Sequence, residues 1–391
     1  MIADERAFAK VTLEKKGSIT DQVWRIDVED YDRVIDKATL VLDDPGSTNA
    51  SLLAPGLFVS IEMGWESERA AMFEGLVTRV EPVAGQGSHR VSVVAYDLSY
   101  KLQTTRKPGA KHAGKLDTIL TDLVAPSGIE VGKVVIDPMP EIPEREAVPQ
   151  GDRTNWQMIQ WFAEHYHARA FVEVNATAKD SDEIRKKGGK SRFYFVSEEA
   201  LLAQEPLGRL LFCPGHGQLL DFKYKRVGSG ASPSASAAVG DPDTGETIEH
   251  DAPPVEPEPP TVPDDRQLAQ AASVVGPAYA KGLEAGHELV STAAVKPHEM
   301  RPTDLLAGHA SDPAAVKEAI KQDRTRVLGY FGEGVAMGTV FMRAKGSVTI
   351  DGLATWAAGN WYVTRVNHIF ERTRVQDKDQ LTYRIKFRAT R

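Results

Sequence analysis

A chain of 391 residues, 41% hydrophobic and 26% charged, has the composition of a folded protein and room for roughly two to four cores. Its formal net charge of -8 disfavours non-specific adhesion to a phosphate backbone. Cys213 is the only cysteine, which excludes an internal disulfide and a multi-cysteine zinc site, and no apolar run approaches the roughly 18 residues of a membrane span.

The opening residues, Met1 to Arg6, carry no apolar core of a secretion signal, so the sequence predicts assembly in a cytoplasm without stable membrane insertion. From Phe8 to about Leu102 the pattern has period two. Ala9 to Glu14, Val23 to Val28, Lys37 to Leu42, Phe58 to Met63, Met72 to Val80 and Arg90 to Asp97 alternate apolar and polar residues, as half-buried strands do. Asp43-Asp44-Pro45-Gly46, Pro55-Gly56 and Gly85-Gln86-Gly87 supply turns. Six strands at this spacing predict a small antiparallel barrel or sandwich over residues 1–104.

The period then changes. Leu116, Ile119, Leu120 and Leu123 form one helical stripe that Gly128 can close, and a second helix starts from the N-cap Thr154 with Trp156, Ile159, Ala163 and Tyr166 on one face. With strands at Lys133 to Ile136, Ala170 to Val174 and Arg192 to Val196, residues 105–212 read as an α+β domain. Alternation returns at Gln218 to Arg226. Between Gly228 and Asp265 there is no Lys, Arg or aromatic residue, and Pro, Ser, Ala, Asp and Glu dominate; such a stretch is expected to be extended or bound to something else. Pro313 to Arg324 reads as a helix, followed by strands at Gly346 to Asp351, Asn360 to Phe370 and Leu381 to Thr390. Gln218 to Arg226 is assigned with these to a second barrel, 213–227 plus 312–391, which residues 228–311 interrupt.

No catalytic, cofactor-binding or metal-ligating residue is assigned, and no cofactor is implied. His165 and His167, two apart at a helix end, point to different faces and cannot share a metal from a regular helix. Cys213-Pro214-Gly215-His216 lacks a second ligand pair and reads as a buried thiol at a strand end before a turn. Gly329, Gly332, Gly334 and Gly338 lie between helix and strand, the reverse of a phosphate loop; they suit tight turns or close backbone contact. Arg185 to Arg192 is a basic run read as a solvated hairpin tip, and Trp65, Trp356 and Trp361 as core or interface anchors.

A short pattern occurs twice. Val59-Ser60-Ile61-Glu62 with Val77-Thr78-Arg79-Val80 is matched by Val348-Thr349-Ile350-Asp351 with Val363-Thr364-Arg365-Val366, and each is followed by an alternating strand, Arg90 to Asp97 or Thr382 to Arg388. The order of elements predicts that one β unit is built twice. Val91-Ser92-Val93-Val94-Ala95-Tyr96-Asp97-Leu98-Ser99-Tyr100-Lys101-Leu102, the Thr154 to Glu164 helix with Ala170 to Val174, and Asn360-Trp361-Tyr362-Val363-Thr364-Arg365-Val366-Asn367-His368 resemble the baseplate hub proteins of contractile phage tails. That group includes late control protein D and the Mu-like hubs, and is related to the hub part of type VI secretion spikes.

The resemblance implies a mainly β fold with an α+β insertion: two tube-protein-like antiparallel barrels per chain plus a small α+β domain. It implies a pseudo-hexameric homotrimer that joins the six-fold tail tube or tube-initiator proteins to a three-fold central spike protein, with baseplate adaptor and wedge proteins around it. DNA would only pass through the lumen, without specific nucleic-acid binding, and the protein would reside in the virion tail baseplate. Residues 228–311 are expected to clamp a neighbour. Two other readings stay open: a hub of a phage-derived injection system delivering protein effectors, and a tail-associated peptidoglycan hydrolase.

Overall fold

The computed structural model describes residues 5–14, 17–85, 88–174, 191–215, 217–226, 235–240, 247–252, 268–269, 272–273, 280–281, 330–354, 357–375 and 378–391. The helix expected at Pro313 to Arg324, Trp356, His216 and most of the basic run at 185–192 lie outside the described residues, as does most of 228–311.

The period-two region folds as β1 (Ala7–Leu13), β2 (Val23–Tyr31), β3 (Lys37–Asp43), β4 (Phe58–Trp65), β5 (Arg69–Gly85) and β6 (Ser88–Asp97). Successive side chains on a strand point to opposite faces, so Ala38, Leu40 and Leu42, or Val59, Ile61 and Met63, enter the core together while their neighbours stay half-buried.

Next come α1 (Ser99–Thr104), α2 (Leu116–Val124), β7 (Glu130–Val135), α3 (Asn155–His165), β8 (Ala168–Glu173) and β9 (Arg192–Ser197). The chain leaves α2 through a short 3-10 turn and a left-handed Gly128, φ 71°, a conformation that glycine adopts without a Cβ penalty. At the start of α3 the Thr154 hydroxyl accepts from the Gln157 N–H at 3.2 Å while the Gln157 side chain accepts from the Thr154 N–H at 2.9 Å, satisfying two amides that the helix cannot. β9 pairs parallel with β7 and antiparallel with β8. Leu116, Ile119, Met158, Ile159, Phe162 and Phe193 belong to a core of this unit's own.

The C-terminal strands are β10 (Arg209–Leu211), β11 (Leu219–Arg226), β12 (Tyr330–Met337), β13 (Ser347–Asp351), β14 (Gly359–Val375) and β15 (Lys378–Thr390). Within the stretch whose composition predicts extended chain, Ala235–Gly240 pairs antiparallel with Thr247–Ala252. β12 carries Gly332 and Gly334, which the sequence places in turns or at close contacts. They lie in a strand, and a β-carbon at either would run into the Phe222 or Phe387 ring, so close approach is what they provide.

Thirteen strands of the described residues form one sheet, mostly antiparallel, in the order β11-β12-β15-β14-β2-β3-β6-β5-β4-β1. A two-residue strand extends it beyond β1, and β13 and β10 branch from β14. The first and second β units are therefore halves of a single curled sheet, joined where β14 pairs with β2. One hydrophobic core runs from Ala7 to Ala389 through both halves. Across the curl, the Trp65 indole donates to the Gly338 carbonyl at 2.8 Å and its ring lies 5.8 Å from that of Tyr383. The fold is mainly β with an α+β insertion.

Candidate functional site

The two halves share their pairing order. In the first it is β2-β3-β6-β5-β4-β1, and in the second β11-β12-β15-β14-β13-β10; they differ only at the last strand, where β1 is antiparallel to β4 and β10 parallel to β13. Two irregularities coincide as well, while the slip between Ile61 and Glu62 in the β4–β5 ladder has no counterpart in the β13–β14 ladder. The β5–β6 ladder slips between Val77 and Arg79, and the β14–β15 ladder between Val363 and Arg365. The extra residue is the threonine of the repeated Val-Thr-Arg-Val pattern. Thr78 donates its hydroxyl to the Val94 carbonyl and Thr364 donates to the Arg388 carbonyl, both at 3.3 Å. A second bulge lies between Val23 and Arg25 in β2 and between Leu219 and Asp221 in β11. Bulges re-aim a strand and increase its twist, so matched bulges at matched positions give both halves the same bend.

The internal junction uses the far half of β14. Arg365 to Glu371 pairs antiparallel with Tyr31 to Arg25. Side chains reinforce this ladder: Arg365 meets Glu29 at 2.9 Å, Asn367 donates to Asp27 at 3.3 Å, and Arg25 lies 3.7 Å from Glu371. These groups are partly exposed, so the main-chain bonds and the shared core outweigh the ion pairs.

Behind the junction sits a buried ionic cluster that ties all three parts together. The Lys345 ammonium reaches Asp30 at 2.5 Å, Asp36 at 3.4 Å and Glu173 at 3.7 Å, and donates to the Tyr31 carbonyl at 2.9 Å. Arg343 donates to the Ala71 and Met72 carbonyls at 3.0 Å and lies 3.7 Å from Glu173. Asp36 and Asp97 are linked by the Asp36 N–H, which donates to the Asp97 carboxylate at 2.7 Å. Burial alone pulls the Lys345 ammonium down, but Asp30, Asp36 and Glu173 outweigh it and hold it charged. Four carboxyls against two cations leave an excess of acid in a dry site. Burial consequently pushes Glu173 up to about 7 and Asp97 up to about 6, and raises Asp36 strongly.

His368 is fully buried on β14. The Met342 carbonyl, 3.0 Å from Nε2, can only accept, so Nε2 carries the proton; Nδ1 lies 2.8 Å from the Tyr383 hydroxyl, whose one proton is shared with the Thr339 carbonyl at 3.1 Å. Burial, with Arg343 nearby, pushes this imidazole down to about 3 and keeps it neutral.

The other residues singled out in the sequence lie apart from this cluster. His165 stacks on Trp161 with ring centroids 5.1 Å apart, and His167 is buried with a left-handed φ of 47°. Cys213 is buried, beside the bridge between Phe212 and Leu219. Trp361 is wholly inside the sheet core. Among the described residues no group of three His, Cys, Asp or Glu side chains is disposed to hold a metal ion, and no helix is long and apolar enough to cross a membrane. An open depression of about 710 Å³ lies along α3, lined by Gln150, Arg153, Trp156, Gln157, Trp161 and Glu164. The sequence reading missed Lys345 and Arg343. They sit outside regular strands, and only their place between β12 and β13 brings them to Asp30.

No protein-family model matches the chain, and no curated protein matches it in sequence. Solved structures do. The chain is similar to the tail protein of Neisseria meningitidis MC58, at 12% identity and a TM-score of 0.61, over 99% of this chain and 97% of that one. It is also similar to the 43 kDa tail protein of prophage MuSo2 from Shewanella oneidensis, at 12% identity and a TM-score of 0.59, over 98% of each chain. A Francisella PdpA–VgrG complex matches at 11% identity and a TM-score of 0.54, over 99% of this chain and 53% of that one. The fold is that of phage tail proteins and of a VgrG complex. This agrees with the hub class that the quoted motifs resemble.

Proposed function

We propose that the protein is a structural hub of a contractile tail baseplate. Three copies form a ring of six near-equivalent β units that joins a six-fold tube to a three-fold spike and leaves a lumen for DNA. The observation that carries this reading is the doubling: two halves with one pairing order and the same two bulges, joined side by side in one sheet. A repeated unit offers three-fold and approximate six-fold surfaces from one chain, which a symmetry adaptor requires. In this reading 1–104 and 213–227 with 312–391 build the ring, 105–212 stands outside it, and 228–311 reaches a neighbour. The negative net charge keeps a passing phosphate backbone from adhering, and the hub performs no catalysis.

The likeness to a VgrG complex favours a second reading, the hub of an injection system that delivers protein. Capsid genes beside this one would mark the first; effector genes would mark the second. Sedimentation velocity at micromolar concentration, with imaging of the same particles, tests the ring. The expected species is a trimer with a central hole and six-fold outline, and a monomer at all concentrations would overturn the proposal.

A further inference from the structure

The internal junction has an unused counterpart. β5 aligns with β14 through the threonine bulges, so Arg79 to Gly85 corresponds to Arg365 to Glu371. The latter segment is paired on both sides, with β15 and with β2. Arg79 to Gly85 is paired with β6 on one side, and among the described residues no strand pairs with the other. The strand that β14 accepts there is β2, and the counterpart of β2 is β11, outermost at the other end of the sheet. Among the described residues one chain thus leaves open the counterparts of the two edges that its own midline joins.

We propose that the Arg79–Gly85 edge of one protomer accepts β11 of a second copy, antiparallel, in the register set by the internal junction. This rests on the ring reading and gives its contact in residues. The matching bulges fix the alignment: Val23, Arg25 and Glu29 of β2 correspond to Leu219, Asp221 and Lys225 of β11. Transferring the β14–β2 register then sets Glu81 opposite Lys225, Pro82 opposite Tyr224 and Val83 opposite Lys223.

Chemistry at the edge is consistent with that register. Glu81 lies opposite Lys225 and diagonal to Lys223, where opposite charges help and like charges oppose. Arg79, diagonal to Lys225, is already held to Glu81 at 3.4 Å. Val83 is 60% exposed on this edge, an apolar side chain that a neighbouring strand would cover. Pro82 pairs with Val91 in the β6 ladder, which a proline can do only with its nitrogen turned to the open side. The open edge therefore lacks one donor. That weakens indiscriminate strand addition while leaving the Pro82 carbonyl to accept from the incoming strand. The contact is heterologous, and repeating it in alternation with the internal junction closes after three copies if each junction turns the sheet by one sixth of a full circle.

The test is disulfide trapping in the full chain. Glu81→Cys with Lys225→Cys puts two thiols on directly opposed residues; Glu81→Cys with Asp221→Cys is the off-register control. After mild oxidation the first variant is expected to give covalent dimers and trimers on a non-reducing gel, and the control and both single variants none. Sedimentation of the reduced proteins checks that each still assembles. A reduced trimer that forms no 81–225 link would overturn this junction while leaving the ring standing. Monomers throughout would remove both, and covalent species growing past three copies would keep the junction and remove the ring.

Discussion

At Glu173 the fold carries a pH dependence whose direction can be worked out from burial. A carboxyl raised to about 7 binds its proton more tightly in the folded chain than in the unfolded one. Its stabilising contribution is complete below the ordinary carboxylate range and is lost as pH rises through 7. Asp97, raised to about 6, acts in the same sense over a lower window. His368, held down to about 3, acts oppositely: its contribution is complete above the usual imidazole range near 6.5 and is lost as pH falls. These trends partly cancel in the native protein, so a difference between two proteins isolates one of them. Glu173→Gln removes this titration and keeps those of His368 and Asp97, and it also relieves Asp36, which Glu173 helps to push up. Denaturant unfolding at pH 5 and pH 8 should show the variant gaining on the native protein by about 2 kcal/mol as pH rises. A difference that stays constant over that range would place the Glu173 carboxyl in an ordinary, wetter environment.

At the scale of elements the duplicated bulge is the unit to test. Each threonine is the extra residue of its bulge, and each donates to the equivalent carbonyl of the following strand, Val94 or Arg388. Thr78→Val and Thr364→Val keep shape and β preference while deleting the hydroxyl, so each should cost about 1 kcal/mol in denaturant unfolding, and by similar amounts. Strongly unequal costs would mean that the two bonds, alike in geometry, differ in weight because the Thr78 bond is part-buried and the Thr364 bond exposed. These same residues mark how far the sequence was legible. The Val-Thr-Arg-Val repeat disclosed the doubling because a bulge threonine is a local requirement, and period-two alternation located β3, β4 and β6 because one face of each strand meets the core. α3 was legible from its Thr154 cap. Elements that depend on distant partners were not: β12 has glycines because Phe222 and Phe387 need its space, and local propensity argues against a strand there. Lys345 likewise gave no signal, since the acids that hold it charged come from elsewhere in the chain.

For the whole molecule, the continuity of the sheet has a mechanical consequence. A chain with two independent barrels would unfold in two steps, each sensitive to its own core. Here β2 of the first half is a ladder partner of β14 in the second, Trp65 is anchored to Gly338, and Arg343 is bonded to the Ala71 and Met72 carbonyls of β5. Opening the first half therefore strips one edge from β14 and removes a wall of the shared core. Leu40→Ala, at a wholly buried position on β3, should destabilise the protein by about 2–5 kcal/mol through lost burial and the cavity left behind. Hydrogen exchange should report that loss beyond β3 and its neighbours: amides of β12 and β15, in the other half, should lose protection by a comparable free energy, because they open in the same cooperative event. Protection lost only between Ala7 and Asp97 would mean that the halves open separately. The proposed ring would then consist of loosely tethered units, and the internal junction could not serve as the template for the proposed contact between copies.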